Sequence, residues 1–132
     1  MNETNLERRE NVLDIHRFLA ENEIAIYVAF DASDQSYTIV KNQAAALSYY
    51  TLFNQLVLLG DDAYWPSVRN QPLLPQMWAQ GDVRCCVFPV SPEKTVALFF
   101  EWSCDRQEIS SRCHALMKQL QEAYDNVSYP VG

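Results

Sequence analysis

Two apolar runs joined by a short turn limit the possible fold more than any other feature of this sequence. The runs cover residues 83–90 and 95–102, and Ser-Pro-Glu-Lys fills the gap between them. β-Branched and aromatic residues dominate both runs, which predicts the two strands of a β-hairpin. Because successive side chains of a strand point to opposite faces, the neighbours Cys85 and Cys86 cannot act as a pair, and we predict that both fill the core.

The same reasoning places a second hairpin nearer the amino terminus and a helix at the other end of the chain. Residues 24–30 carry no charge, which suits a strand covered on both faces, and residues 37–41 return after polar turn residues. Apolar residues recur at helical spacing over about 106–124. Ser103 or Asp105 can cap the start of this helix.

Two further helices are predicted in the first half of the chain. Residues 5–21 show an amphipathic pattern, and His16 lies near its apolar stripe, so we expect this imidazole to be partly buried. A second helix is expected between Asn42, a suitable cap, and Gly60, a suitable stop.

The order of these elements predicts an α+β fold. Helix, strand, strand, helix, long loop, strand, strand, helix describes an antiparallel sheet of four to five strands with flanking helices. A short fifth strand has room inside the long loop. With 132 residues the chain suits a single domain, and we expect residues 1–4 and 127–132 to be frayed ends.

Part of this sequence resembles a known family. The run LLPQMWAQGDVRCCVFPV, then KTVALFFEW, then a long amphipathic helix is similar to the second half of a GAF domain, over residues 73–124. Arg84 and Pro89-Val90 stand where that family has a basic residue and a Pro-Val pair, whereas the glycine expected in the last strand is absent. The order of elements equally resembles the roadblock and longin group of small α+β dimers. The GAF resemblance implies a small-ligand sensor.

Charge and composition exclude several functional classes. Seventeen acidic against ten basic residues give a net charge of −7, which disfavours nucleic acid or an anionic membrane surface as the partner. No apolar run approaches the roughly 18 to 20 residues of a membrane span, and the polar start does not suit a secretion signal. We therefore expect a cytoplasmic protein without membrane insertion, whose four cysteines are reduced.

No recognisable catalytic, cofactor or metal motif is present. Three glycines form neither a phosphate-binding loop nor a dinucleotide fingerprint. Cys104, Cys113 and His114 lack the close ligand pairs of a zinc site. Glu101 alternates with two aromatics, so it faces either solvent or a pocket, and we favour solvent. We predict no enzyme, no cofactor and no metal.

The remaining candidate is the long loop over residues 61–81. Its large aromatic, aliphatic and thioether side chains have the composition of protein-binding surfaces, although they also suit a flap over the sheet. The predicted partner-binding residues are Tyr64, Trp65, Leu73, Leu74, Met77 and Trp78. We predict a non-enzymatic interaction module whose partner is another protein, including a second copy of the chain. The alternatives are a GAF-like ligand sensor and an acidic dimer of the secretion-chaperone type.

Overall fold

Five strands form one antiparallel sheet in the computed structural model, which describes residues 14–58 and 75–128. The strands are β1 (Ile24–Asp31), β2 (Ser36–Lys41), β3 (Gln76–Gln80), β4 (Val83–Pro89) and β5 (Lys94–Phe100). Their order in the sheet is β2-β1-β5-β4-β3, so β2 and β3 are the two edges of the described sheet. The α+β class and the strand count are confirmed. The short additional strand for which the predicted long loop had room is β3.

The described helices differ greatly in length. Their bounds are α1 (Ile15–Asn22), α2 (Thr51–Phe53), which continues as a π-helix over Asn54–Leu58, and α3 (Arg106–Ser128). Asp105 caps α3, because its Oδ1 accepts the Glu108 amide hydrogen at 2.8 Å. This confirms one of the two predicted caps and the position of the closing helix.

One face of the sheet is covered by α1 and α3. Phe18 and Leu19 of α1 and the apolar stripe of α3 pack on β1, β4 and β5. That stripe consists of Ile109, Cys113, Leu116, Met117 and Leu120. The hydroxyl groups of Tyr27 in β1 and Tyr124 in α3 share a hydrogen bond, which joins the sheet to its longest helix. Burying each large apolar side chain here contributes about 1.5 to 3 kcal/mol.

The other face is covered by residues 42–58, which we call the covering segment. Leu47, Leu52 and Phe53 pack there on inward-facing side chains of the sheet. The ring centroids of Phe53 and Phe99 lie 5.4 Å apart in an edge-to-face arrangement. Since both faces are covered, β1 is buried along residues 24–30, as the uncharged run predicted.

The predicted helix between Asn42 and Gly60 is wrong over its first half, and its predicted stop at Gly60 lies outside the described residues. Residues 42–50 are irregular, and only the short α2 and the π-helix follow. Asn42 does not cap a helix: its Nδ2 donates to the carbonyl oxygens of Ile24 and Leu19, and its Oδ1 accepts the Ala44 amide hydrogen. These bonds fix the start of the covering segment against β1, and tertiary contacts outweigh local helix preference here.

The helix predicted over residues 5–21 is wrong as one continuous helix, because α1 begins at Ile15: Asp14 has an extended backbone, and its side chain accepts the Arg17 amide hydrogen as an N-cap. Residues 1–13 lie outside the described range. α3 continues through Ser128, past the residue where its apolar pattern stops. Residues 127 and 128, which were expected to be frayed, are the last two residues of α3. The rest of the expected frayed ends, residues 1–4 and 129–132, also lies outside the described residues.

Candidate functional site

The edge strand β3 carries the two predicted partner-binding residues that the structure describes. It pairs on one side with β4, where Met77 lies opposite Cys86 and Trp78 lies opposite Cys85. Residues opposite each other on paired strands share a face. Met77 therefore lies on the side of α3, and Trp78 packs on the cluster beneath the covering segment.

This arrangement separates Met77 from Trp78. Met77 is 41% exposed, whereas Trp78 is half-buried against the core. Residues 76–80 form a strand and not a loop, so the two neighbouring side chains point to opposite faces of the sheet. The other predicted partner-binding residues, Tyr64, Trp65, Leu73 and Leu74, lie outside the described residues.

A groove runs along the α3 side of β3. It lies between that strand and the first turns of α3, and its volume is about 500 Å³. Its floor includes Arg84 of β4. The lining residues are Met77, Trp78, Ala79, Arg84, Cys104, Arg106, Ile109 and Ser110.

Two arginines give this groove its charge. Nη1 of Arg84 donates to the carbonyl oxygens of Gly81 at 2.6 Å and of Val83 at 3.2 Å, which fixes the guanidinium beside the β3–β4 turn. Arg106 is the first residue of α3 and is exposed. Sequence analysis singled out Arg84 only through a family resemblance and missed Arg106 and Ser110, because the groove assembles residues from separate parts of the chain.

The opposite edge of the sheet also exposes apolar side chains. Tyr37 and Ile39 of β2 are 42% and 41% exposed. Nζ of Lys41 lies 6.0 Å from the ring centroid of Tyr50 and 5.8 Å from that of Phe53. This edge therefore carries a cation beside aromatic rings, unlike the uncharged β3.

Three of the four cysteines are packed in the core, as predicted. Cys85 lies on the side of the covering segment, whereas Cys86 and Cys113 lie on the side of α3. Burial raises the pKa of the Cys85 thiol well above its usual value. A hydrogen bond with Cys113, followed by burial, raises the pKa of Cys86. Protonated thiols are poor nucleophiles, so these positions do not suit covalent catalysis.

The histidines and acidic turns have structural explanations. His16 is exposed, so the expectation of partial burial was wrong: it lies on the solvent side of α1 beside the buried Phe18. Nδ1 of His114 donates to the Ser110 carbonyl oxygen at 2.9 Å. Asp31 accepts hydrogen bonds from Ser33. Among residues 14–58 and 75–128, no three His, Cys, Asp or Glu side chains lie close enough to hold a metal ion.

Glu101 connects the end of β5 to the covering segment. Its carboxylate accepts hydrogen bonds from the amide and the hydroxyl of Ser48, and the residue is half-buried. The sequence analysis favoured an orientation of Glu101 toward solvent. Its carboxylate instead holds the covering segment in position.

None of the helices in the described ranges combines the length and the apolar character that a membrane crossing requires. No protein-family model matches the chain, and no curated protein matches it. The α+β topology does not identify any of the families that the sequence resembles, so the resemblance to GAF, roadblock and longin domains stays a prediction.

Proposed function

We propose that the chain is a non-catalytic cytoplasmic module that binds another protein along the outer edge of β3. The observation that carries this proposal is the character of that edge. β3 pairs with β4 only, and within the described sheet no strand lies on its other side. An edge strand presents main-chain donors and acceptors to an added strand, which is a common way to bind an extended peptide.

The sequence of β3 supports strand addition. It reads Gln-Met-Trp-Ala-Gln, without a charge and without proline. Proteins commonly protect an edge with lysine, proline or a bulge. None of these features occurs within Gln76–Gln80, in contrast to Lys41 on the other edge.

Met77 supplies a side-chain anchor for such a partner. Its thioether is 41% exposed in the middle of the strand. Methionine adapts to irregular apolar surfaces, which suits a contact with the alternate side chains of an added strand. The partner is an extended segment of another protein. If that protein is a second copy of this chain, the two β3 strands pair with each other.

The experiment compares two lysine substitutions at equally exposed apolar positions. Met77→Lys places a charge in the middle of β3, and Ile39→Lys does the same in β2, where the native side chain is also 41% exposed. Each variant is used to capture partners from host extract, and its sedimentation is measured alone. We expect Met77→Lys to reduce recovery of the wild-type partner at least about tenfold, because an unpaired charge is costly to desolvate.

The Ile39→Lys variant is the matched control and should recover the same partner as the wild type. Circular dichroism must show that both variants fold. Equal recovery by both variants, or a loss only with Ile39→Lys, would falsify docking at β3. Sedimentation distinguishes a second copy from a different protein, because only self-association changes the size of the isolated chain.

A further inference from the structure

We propose that the groove between β3 and α3 binds a small organic anion with an apolar body, such as a medium-chain carboxylate. This inference does not depend on the docking of a partner at β3. It rests on three properties of the groove: its size, its cations and its apolar wall.

The size of the groove suits a small molecule. Its volume is about 500 Å³, inside the roughly 300 to 1,000 Å³ typical of ligand pockets. β3 forms one wall and the first turns of α3 form the other. Two regular elements therefore hold the walls in place, and a ligand would need little rearrangement to enter.

The charges of the groove favour an anion. Arg84 and Arg106 both line it, in a chain whose net charge is −7. Within residues 14–58 and 75–128, the hydrogen bonds of Arg84 use Nη1, and none uses Nε or Nη2. Within the described part of the chain, Arg106 has no ion pair with a carboxylate. A guanidinium binds a carboxylate through two parallel hydrogen bonds, which makes these groups suitable for an anionic head.

The acidic residues at the start of α3 do not cancel this charge within the groove. Asp105 turns its Oδ1 to the Glu108 amide. Neither Asp105 nor Glu108 is among the residues that line the groove. The two arginines thus supply its only ionic side chains among the described residues, and both are positive.

The rest of the lining selects an apolar body for the ligand. Met77 and Ile109 contribute a thioether and an aliphatic side chain on opposite walls. The Ser110 side chain lies one residue farther along α3 and adds a hydroxyl group. A fully polar anion such as phosphate would leave these apolar groups in contact with water, whereas an aliphatic tail would cover them.

The test is calorimetric titration of the wild-type chain with three molecules that share one tail. The probes are octanoate, 1-octanol and octylammonium. We expect octanoate to saturate a single site, 1-octanol to bind at least about tenfold more weakly, and octylammonium to show no saturable binding. Equal binding of all three, or no binding of octanoate at about 1 mM, would overturn the proposal.

Substitutions then locate the site. Arg106→Gln should weaken octanoate binding about tenfold or more, and the matched change Arg17→Gln on α1 should leave it unchanged. Ser110→Phe keeps both arginines and fills the groove, so it should abolish binding while the melting temperature stays close to that of the wild type. Wild-type affinity in either groove variant would show that octanoate binds elsewhere and would refute the assignment.

Discussion

Cys86 of β4 and Cys113 of α3 are buried in the same core cluster, at the interface between the sheet and its longest helix. The adjoining Cys85 lies on the opposite face, beneath the covering segment. Two consecutive residues thus contribute small soft side chains to two separate cores. Their proximity in sequence is a result of dense packing on both faces of β4 and does not indicate paired chemistry.

Thiol accessibility follows directly from this arrangement. Cys85, Cys86 and Cys113 are at most 1% exposed, whereas Cys104 is partly exposed. A water-soluble disulfide reagent should therefore modify one thiol quickly in the native protein and all four in denaturant. Cys104→Ser should remove the fast reaction. Fast modification of two or more native thiols would contradict the buried positions.

The hydrogen bond between Tyr27 and Tyr124 predicts that removing only the Tyr124 hydroxyl destabilises the fold more than removing both hydroxyls. Tyr124→Phe leaves the buried Tyr27 hydroxyl without its partner, at a cost of about 1 to 3 kcal/mol in the free energy of unfolding. Adding Tyr27→Phe removes the stranded hydroxyl and should recover part of that loss. Urea denaturation of the two single variants and the double variant measures the coupling. Additive losses would indicate that the two hydroxyls are not coupled.

Alkaline pH should destabilise the fold through Tyr27. Burial, and then the neighbouring Tyr124 hydroxyl, raise the pKa of Tyr27 in the folded state. The unfolded tyrosine loses its proton near pH 10, where the folded one keeps it, so stability is full below about pH 10 and falls above it. Tyr27→Phe should make this decline shallower. The exposed Tyr50 provides the control, because Tyr50→Phe should leave the slope unchanged.

The β3–β4 turn should not accept a side chain at Gly81. Its φ of +59° lies in the left-handed region, and a Cβ there would collide with the Tyr49 hydroxyl, which donates to the Gln80 carbonyl oxygen. We expect Gly81→Ala to cost about 2 kcal/mol or more, measured by denaturant unfolding.

Two variants separate the causes of this loss at Gly81. Asparagine tolerates a positive φ better than alanine, so Gly81→Asn retains the collision while reducing the backbone strain. Combining Gly81→Ala with Tyr49→Phe removes the hydroxyl that collides. If the double variant loses the full sum of the single effects, contact with Tyr49 is not a cause.

The sheet could be predicted because the composition of its strands differs from that of the turns between them. Both long hairpins have mainly apolar runs separated by turn residues, and the structure places them over residues 24–41 and 83–100. The helix after Asn42 failed for a different reason. Its apolar residues do recur at helical spacing. However, Tyr49 bonds to Gln80 in β3 and Ser48 bonds to Glu101 just after β5, and those contacts hold the backbone in an irregular path.

The candidate site was only partly accessible to sequence reasoning. Met77 and Trp78 were singled out by residue type, but five residues are too few for a strand pattern to emerge among prolines and polar residues. Their opposite orientations follow from pairing with β4. The groove could not be predicted, because Arg84 and Arg106 become neighbours only when α3 packs across the sheet.

The position of β1 between β2 and β5 has a consequence for synthesis of the chain. β1 pairs with β2, which follows at once, and with β5, which begins only at Lys94. During translation the first hairpin can form early. The apolar strand β1 nevertheless lacks its second partner, β5, until most of the polypeptide has emerged from the ribosome. A chain whose translation stops before Lys94 is therefore expected to aggregate. A chaperone that binds nascent chains is needed for the longest time at β1.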